Sequence, residues 1–291
     1  MTKILITGAS GKLGRLVINH LLESQHVAAA DIVAASRNPS GLADLAAKGI
    51  ETRRADFTDT ASLDHAFSGI DRLLIISTDA IGSRIDQHKA AIAAATNAKV
   101  GRIFYTSMPN PETSKILFAP EHVQTEQAIK ASGLAYTILR NNWYMENLFL
   151  TLPSALASGQ WYTSAGEGKT AYIAREDIAR AIASTLAKPV AENIIYTLSG
   201  SRAYSNKEIA ALAEKATGKP LAVVDITDQQ LEEGMVAAGV PKPVAPVFAS
   251  IDTATRAGDL DVVTDEAQSL SGHPLLPLQA FMEANKASLI G

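Results

Sequence analysis

Lys3-Ile4-Leu5-Ile6-Thr7-Gly8-Ala9-Ser10-Gly11-Lys12-Leu13-Gly14 is the stretch that decides the fold. Residues 3–7 form a short apolar run, suited to a strand buried on both faces. Three glycines follow at the spacing GxxGxxG, and Leu13, Leu16, Val17 and Leu21 then recur at helical intervals. Each glycine has a separate task in such a turn. Gly8 permits the tight bend off the strand, Gly11 lets the backbone approach a pyrophosphate, and Gly14 lets the helix pack closely on the sheet. The helix N-terminus then offers free N–H groups and the positive end of its dipole to phosphates. The spacing alone occurs by chance, and the strand before it and helix after it make it informative. Gly8, Ser10, Gly11, Lys12 and Leu13 are the first candidate cofactor contacts.

Outward from this turn, strand and helix alternate. Further strands are expected at 32–35, 51–55, 73–76, 102–106 and 135–139. Helices are expected at 42–48, closed by Gly49, and from about 121 to 132. Ile85, Lys89, Ile92 and Thr96 mark one side of another, and residues 108–120 read as a loop. Strands separated by helices pair in parallel through right-handed crossovers, which implies the order 3-2-1-4-5-6. After Leu139 the alternation weakens, and Gly159, Gly166 and Gly168 break the chain into short pieces. A strand at 194–198 and helices near 205–217, 228–238 and 278–287 follow, with Pro241, Pro243 and Pro246 marking a loop. The fold class is therefore α/β, a Rossmann-type doubly wound parallel sheet with a smaller C-terminal substrate lobe. The expected division is 1–150 for the dinucleotide-binding domain and 151–291 for the lobe, parts of which pack back on the sheet.

Composition narrows the function. Of 291 residues, 47% are hydrophobic and 19% charged, an ordinary globular balance. The net charge of −4 and the absence of a Lys/Arg run argue against nucleic acid. There is no cysteine, so no disulfide, thiolate metal site or cysteine nucleophile exists. The six histidines form no HExxH pattern, and no GxSxG elbow is present, so neither a metal centre nor a serine hydrolase is expected. No signal-peptide pattern or apolar run of about 20 residues occurs, and a cytoplasmic protein that does not enter membranes is expected.

The end of the second strand selects the cofactor. An NAD site usually places a carboxylate there for the ribose 2′-hydroxyl. Asp31 stands at the strand's start, and the residue just past Ser36 is Arg37, whose guanidinium suits a 2′-phosphate. NADPH is the expected cofactor, bound by residues 1–150, with Lys12 a second positive charge. Asp56 and Phe57 either frame adenine or serve as helix cap and core aromatic. Ser77, Thr78 and Asp79 end the fourth strand on the edge where ligands collect, placed to touch ribose or nicotinamide. Ser107, past the fifth strand, is a candidate for bonding a substrate oxygen. Asn141 and Asn142, past the sixth, are candidates for holding the carboxamide or that oxygen, and Trp143 and Tyr144 for an aromatic wall. Lys169 and Arg175 are weaker candidates for closing over the phosphates.

The glycine turn, Ser36-Arg37-Asn38-Pro39, Tyr105-Thr106-Ser107, the run Leu139-Arg140-Asn141-Asn142-Trp143-Tyr144-Met145-Glu146-Asn147 and Gly272-His273-Pro274 together resemble NmrA-like proteins, atypical short-chain dehydrogenases/reductases. The resemblance is greatest to the bacterial type 2 NAD(P)H:quinone oxidoreductases, with triphenylmethane reductases next. It implies hydride transfer from NADPH to a quinone or similar conjugated acceptor, with no flavin and no metal, in a monomer or homodimer. A triphenylmethane or azo dye is the alternative acceptor. A redox sensor that binds NADP(H) without turnover is the alternative from another class. Ordinary members of the superfamily use a Tyr-x-x-x-Lys pair, in which Tyr protonates the carbonyl. Here that spacing holds His122 and Glu126. His122, with a reference pKa of about 6.5, is either a proton donor or a helix-face histidine. Ser107, His122 and Asn142 are the candidate catalytic residues. A quinone relaxes the need for an acid, because its reduced form is a stabilised oxyanion that water can protonate.

Overall fold

The structure, a computed structural model, describes residues 2–189 and 191–290. Its frame is a parallel sheet of seven strands: β1 (Ile4–Ile6), β2 (Ile32–Ser36), β3 (Glu51–Arg54), β4 (Arg72–Ile75), β5 (Arg102–Ser107), β6 (Ala135–Asn141) and, after two short strands, β9 (Ile194–Leu198). The order is β3-β2-β1-β4-β5-β6-β9, with every neighbouring pair parallel. This is the Rossmann-type arrangement expected from the alternation, extended at the β6 edge by the strand at 194–198. Short strands β7 (Gln160–Thr163), β8 (Lys169–Thr170), β10 (Tyr204–Ser205) and β11 (Ala222–Asp225) pair outside it, β10 with β8 and β11 with β7.

The crossover helices are α1 (Lys12–Glu23), α2 (Ala43–Ala46), α3 (Thr60–Phe67), α4 (Arg84–Asn97), α5 (Ala119–Ala131) and, past α6 (Leu152–Ser158), α7 (Arg175–Ala187). Successive strand side chains point to opposite faces, so Ile4 and Ile6 of β1 enter one core layer and Leu5 the other. On the first face Val17, Ile18 and Leu21 of α1 meet Ile178, Ile182 and Leu186 of α7. On the second, α3, α4 and α5 contribute Leu63, Phe67, Ala95 and Ile129. Each fully buried Leu, Ile or Phe of these layers contributes about 1.5–3 kcal/mol over an exposed position. The rest of the chain builds α8 (Asn206–Thr217), α9 (Asp228–Ala237), α10 (Ala245–Arg256), α11 (Glu266–Ser271), α12 (Leu278–Ala284) and α13 (Lys286–Ile290). A third core layer joins Leu152, Trp161, Ile209 and Phe281.

Three local expectations need correction. Helix α7 is absent from the sequence reading, although Ile178, Ile182 and Leu186 recur every four residues and Glu176 and Asp177 favour its first turn. The prolines at 241–246 mark a start as well as a loop. Pro246 lies in the first turn of α10, where its missing N–H costs nothing. On α4 the buried face is Arg84, His88, Ala91, Ile92 and Ala95, and Lys89 and Thr96 are exposed.

The strand order reverses between β1 and β4, and ligands of such sheets bind past the carboxyl ends at that point. Thr7 Oγ1 accepts the Ile76 N–H at 3.0 Å, tying the glycine turn to the segment after β4.

Candidate active site

The turn after β1 is built as an anion cradle. Gly8 has φ +61°, a left-handed conformation that glycine adopts without strain. Gly11 is the N-cap of α1, and no side chain caps that helix. Helices α8 and α9, by contrast, begin with complete capping boxes from Ser205 and Thr227. A Cβ on Gly14 would lie 2.5 Å from the Gly8 carbonyl oxygen, so only glycine lets α1 start this close to the turn. Ser10, Gly11 and Lys12 are exposed on the outer side, and Leu13 is buried in the first core layer.

Arg37 follows β2, exposed, and makes no ion pair or side-chain hydrogen bond among the described residues, and the same is true of Lys12. Arg15, one turn into α1, is occupied by Asp44 at 2.6 Å. Two unengaged cations thus border the cradle. Phe57 takes the structural alternative, and Asp56 is not the helix cap it was expected to be. Asp56 accepts from the Thr58 N–H and hydroxyl, and Phe57 packs in the second core layer with its ring 6.3 Å from His88. The cap of α3 is Asp59.

Beyond the cradle, the ends of β4, β5 and β6 bound a cleft. Ser77, Ser107, Asn141, Asn142, Trp143 and Tyr144 all line it. Thr78 Oγ1 and Asn141 Oδ1 are buried without a hydrogen-bond partner. An unmet acceptor and an unmet hydroxyl next to a phosphate cradle fit the carboxamide and ribose of a nicotinamide nucleotide, since a buried polar atom left unpaired is costly. Asp79 is exposed at the same corner. Tyr144 accepts from Asn141 Nδ2 at 3.3 Å, and the Arg175 guanidinium lies 5.1 Å over its ring. Lys169 sits elsewhere, in a second cleft beside Thr255 and Arg256.

The candidate catalytic side chains are more engaged than their sequence suggests. Asn142 donates to the Leu260 and Val262 carbonyls, both at 3.2 Å, and accepts the Trp143 N–H, which ties residues 260–262 to the end of β6. The Ser107 hydroxyl donates to Glu126 at 2.7 Å, so toward the cleft it presents an acceptor. Glu126 also receives Arg140 at 3.0 and 2.7 Å and is almost wholly buried. His122 Nε2 accepts from Arg84 at 3.1 Å, so the proton of the neutral ring belongs on Nδ1, where it is donated to the Tyr105 hydroxyl at 2.8 Å. His88 mirrors it. Nε2 accepts the Thr78 N–H at 3.2 Å and Nδ1–H donates to Thr125, whose hydroxyl passes on to the Glu121 carbonyl. Burial first, then the Arg84 charge, pushes both imidazoles down to about 3. Burial pushes the Tyr105 phenol up.

The structure therefore brings Ser77, Ser107, His122 and residues 141–144 to one cleft. The sequence reading missed Arg84, His88, Phe118 and Thr125. The four-residue spacing of Arg84 and His88 was a signal, obscured because the neighbouring spacing of Ile85, Lys89, Ile92 and Thr96 reads as the helix face.

The sheet order, the close-packed glycine turn and the cleft at the reversal point define a Rossmann-type α/β protein. The chain belongs to the NmrA-like family, whose description matches residues 1–272. It is 38% identical over 275 residues to quinone oxidoreductase 2 of Escherichia coli, covering 94% of this chain and 96% of that one. The crystal structure of the NADPH-dependent quinone oxidoreductase from that organism, complexed with NADPH, matches with a TM-score of 0.93 at 37% identity, over 97% of this chain and 99% of that one. Triphenylmethane reductase of Citrobacter sp., complexed with NADP(H), matches at 0.90 and 34% identity, over 98% and 100%.

Proposed function

We propose that this chain reduces quinones or similar conjugated acceptors with NADPH. The observation that carries the reading is the state of positions 122 and 126. Where an alcohol dehydrogenase needs a proton donor, His122 has its single proton committed to Tyr105 and Glu126 is locked by Arg140 and Ser107. The commitment of both groups suits an acceptor that does not need an acid from these positions at the moment of transfer. The acceptor gains a hydride, two electrons and one hydrogen, from the reduced nicotinamide. A quinone then becomes a hydroquinone monoanion, and water supplies the second proton.

Gly8, Ser10, Gly11, Lys12 and the start of α1 bind the pyrophosphate, and Arg37 binds the 2′-phosphate. Thr78 and Asn141 satisfy their unpaired oxygens on ribose and carboxamide, and Ser77 and Tyr144 flank them. Trp143 and Tyr144 hold the acceptor ring flat, and orientation of this kind can supply about 7–11 kcal/mol at best. Ser107 and Asn142 act by position, the first as an acceptor at the cleft wall and the second by fixing Leu260. In this reading residues 1–150 hold the cofactor and 151–291 cover the acceptor.

The test is NADPH oxidation at 340 nm with purified protein, no added flavin, a panel of quinones and one triphenylmethane dye. Turnover with simple quinones is expected. Tight NADPH binding with no turnover on any acceptor overturns the enzyme reading in favour of a sensor.

A further inference from the structure

We infer that Arg84 is a catalytic residue of the cleft, holding the oxygen of an acceptor that becomes anionic on reduction and disfavouring cationic acceptors. The inference rests on the reductase reading above and names its substrate class.

Arg84 opens α4, only 6% exposed, and lines the cleft beside His122, Phe118 and Ser107. A guanidinium is costly there twice over. It is desolvated, and it stands at a helix N-terminus, whose dipole opposes a cation. The structure invests several contacts to keep it. Nε donates to the Thr78 carbonyl at 2.7 Å, Nη1 donates to His122 Nε2, and the Phe118 ring lies 5.3 Å from the guanidinium carbon. Glu121 approaches Nη1 only to 3.6 Å, beyond hydrogen-bond reach, and is not part of the cleft wall. Of the pair, Arg84 is the member that lines the cleft, while the Glu121 Oε2 beside it is buried without a hydrogen bond. Nη2 donates to no group among the described residues. The two neutral histidines serve this arrangement. His122 accepts from Arg84, and His88 fixes the Thr78 backbone that Arg84 also binds.

Fixed donors aimed at developing charge in a desolvated site do more than the same donors in water. A neutral quinone that receives a hydride develops negative charge on oxygen, which Arg84 stabilises increasingly as the reaction proceeds. A triphenylmethane dye is a carbocation before reduction and neutral after it, so the same guanidinium opposes its entry and gains nothing from its reduction.

The experiment compares wild type, Arg84→Met and Arg84→Lys with 1,4-benzoquinone and with the cationic dye crystal violet, NADPH binding being followed separately by fluorescence. For Arg84→Met, kcat with the quinone is expected to fall at least tenfold. That is less than the roughly 10²–10³ of a lone oxyanion donor, because the hydroquinone charge is delocalised. Turnover of the dye is expected to hold or rise, and Arg84→Lys to recover most quinone activity. A parallel fall for both acceptors, or an unchanged quinone kcat, overturns the inference. Should Arg84→Met fail to fold, wild type decides. Benzoate is expected to compete with the quinone and benzylammonium is not, and equal behaviour of the two overturns it. Quinone turnover that ignores acceptor charge refutes Arg84 alone, whereas a wild type inactive with every acceptor refutes the reductase reading and this inference together.

Discussion

Replacing Gly14 with alanine tests the cradle without touching a polar group. The added Cβ would lie 2.5 Å from the Gly8 oxygen, 2.9 Å from Ala9 Cα and 3.0 Å from the Gly8 carbonyl carbon, where ordinary contact begins near 3.4 Å. The obstacles are backbone, so no side-chain rotation relieves them. Helix α1 must retreat from the turn by about 0.9 Å. Overpacking of this kind costs about 1–3 kcal/mol. At roughly 2–4 °C per kcal/mol, Tm is expected to fall by about 2–12 °C. The same retreat draws the first N–H groups of α1 away from a bound pyrophosphate. Losing most of one charge-assisted bond, worth about 1.5–3 kcal/mol, raises the Kd for NADPH about tenfold. Thermal melts without ligand and a fluorescence titration with NADPH read the two effects. Gly234→Ala is the control. It is exposed within α9 with nothing within 4 Å, and it is expected to stabilise by about 0.5–1 kcal/mol. A Gly14→Ala protein that melts and binds NADPH like wild type refutes the close packing of helix and turn.

Arg37→Ala is expected to weaken NADPH by about 1.5–3 kcal/mol and leave NADH nearly unchanged, and equal losses for both dinucleotides would remove the 2′-phosphate role. Glu126→Ala leaves Arg140 half-buried with only the exposed Glu112, 2.5 Å away, and is expected to cost about 3–5 kcal/mol in a denaturant titration. A cost under about 1 kcal/mol would mean that the pair is screened as a surface bridge is. His88 and His122 make stability pH-dependent below neutrality. Above pH 6.5 they are neutral in both states. Below it the unfolded rings take up protons and the folded ones do not until about pH 3, so stability falls across that window. The expected slope is on the order of 1 kcal/mol per pH unit for each ring. Melts at pH 7 and pH 5 read it, and His88→Gln is expected to flatten it, whereas equal melts in wild type would mean the rings titrate normally.

What could be read in advance follows from the range of the interactions involved. The glycine turn and the strands β1, β2, β4 and β5 were legible because burial on both faces leaves a continuous apolar run, which is a local property of the chain. The position of Arg37 just past the end of β2 was legible as well, since it depends only on where the strand ends. Helix α7 carries an apolar stripe as regular as that of α1, but no glycine motif precedes it to direct attention there.

The cleft shows a different limit. Residues 107 and 141–144, identified by their place past strand ends, and 122, identified by spacing, do meet around one cavity, yet neither signal says where their protons lie. The tautomer of His122 is set by Arg84, 38 positions earlier in the chain, and that of His88 by the backbone of Thr78 and the hydroxyl of Thr125. A polar face on α4 looks like solvent when read along one helix. It reads as buried only once α5 and β5 are known to lie against it with Thr125 and Tyr105 facing inward. The chemistry of the site is thus a property of pairs drawn from separate crossovers. The absence of a tyrosine and a lysine at 122 and 126 argues against the acid of an ordinary dehydrogenase, and the arginine proposed to take up the electrostatic task comes from a different helix altogether.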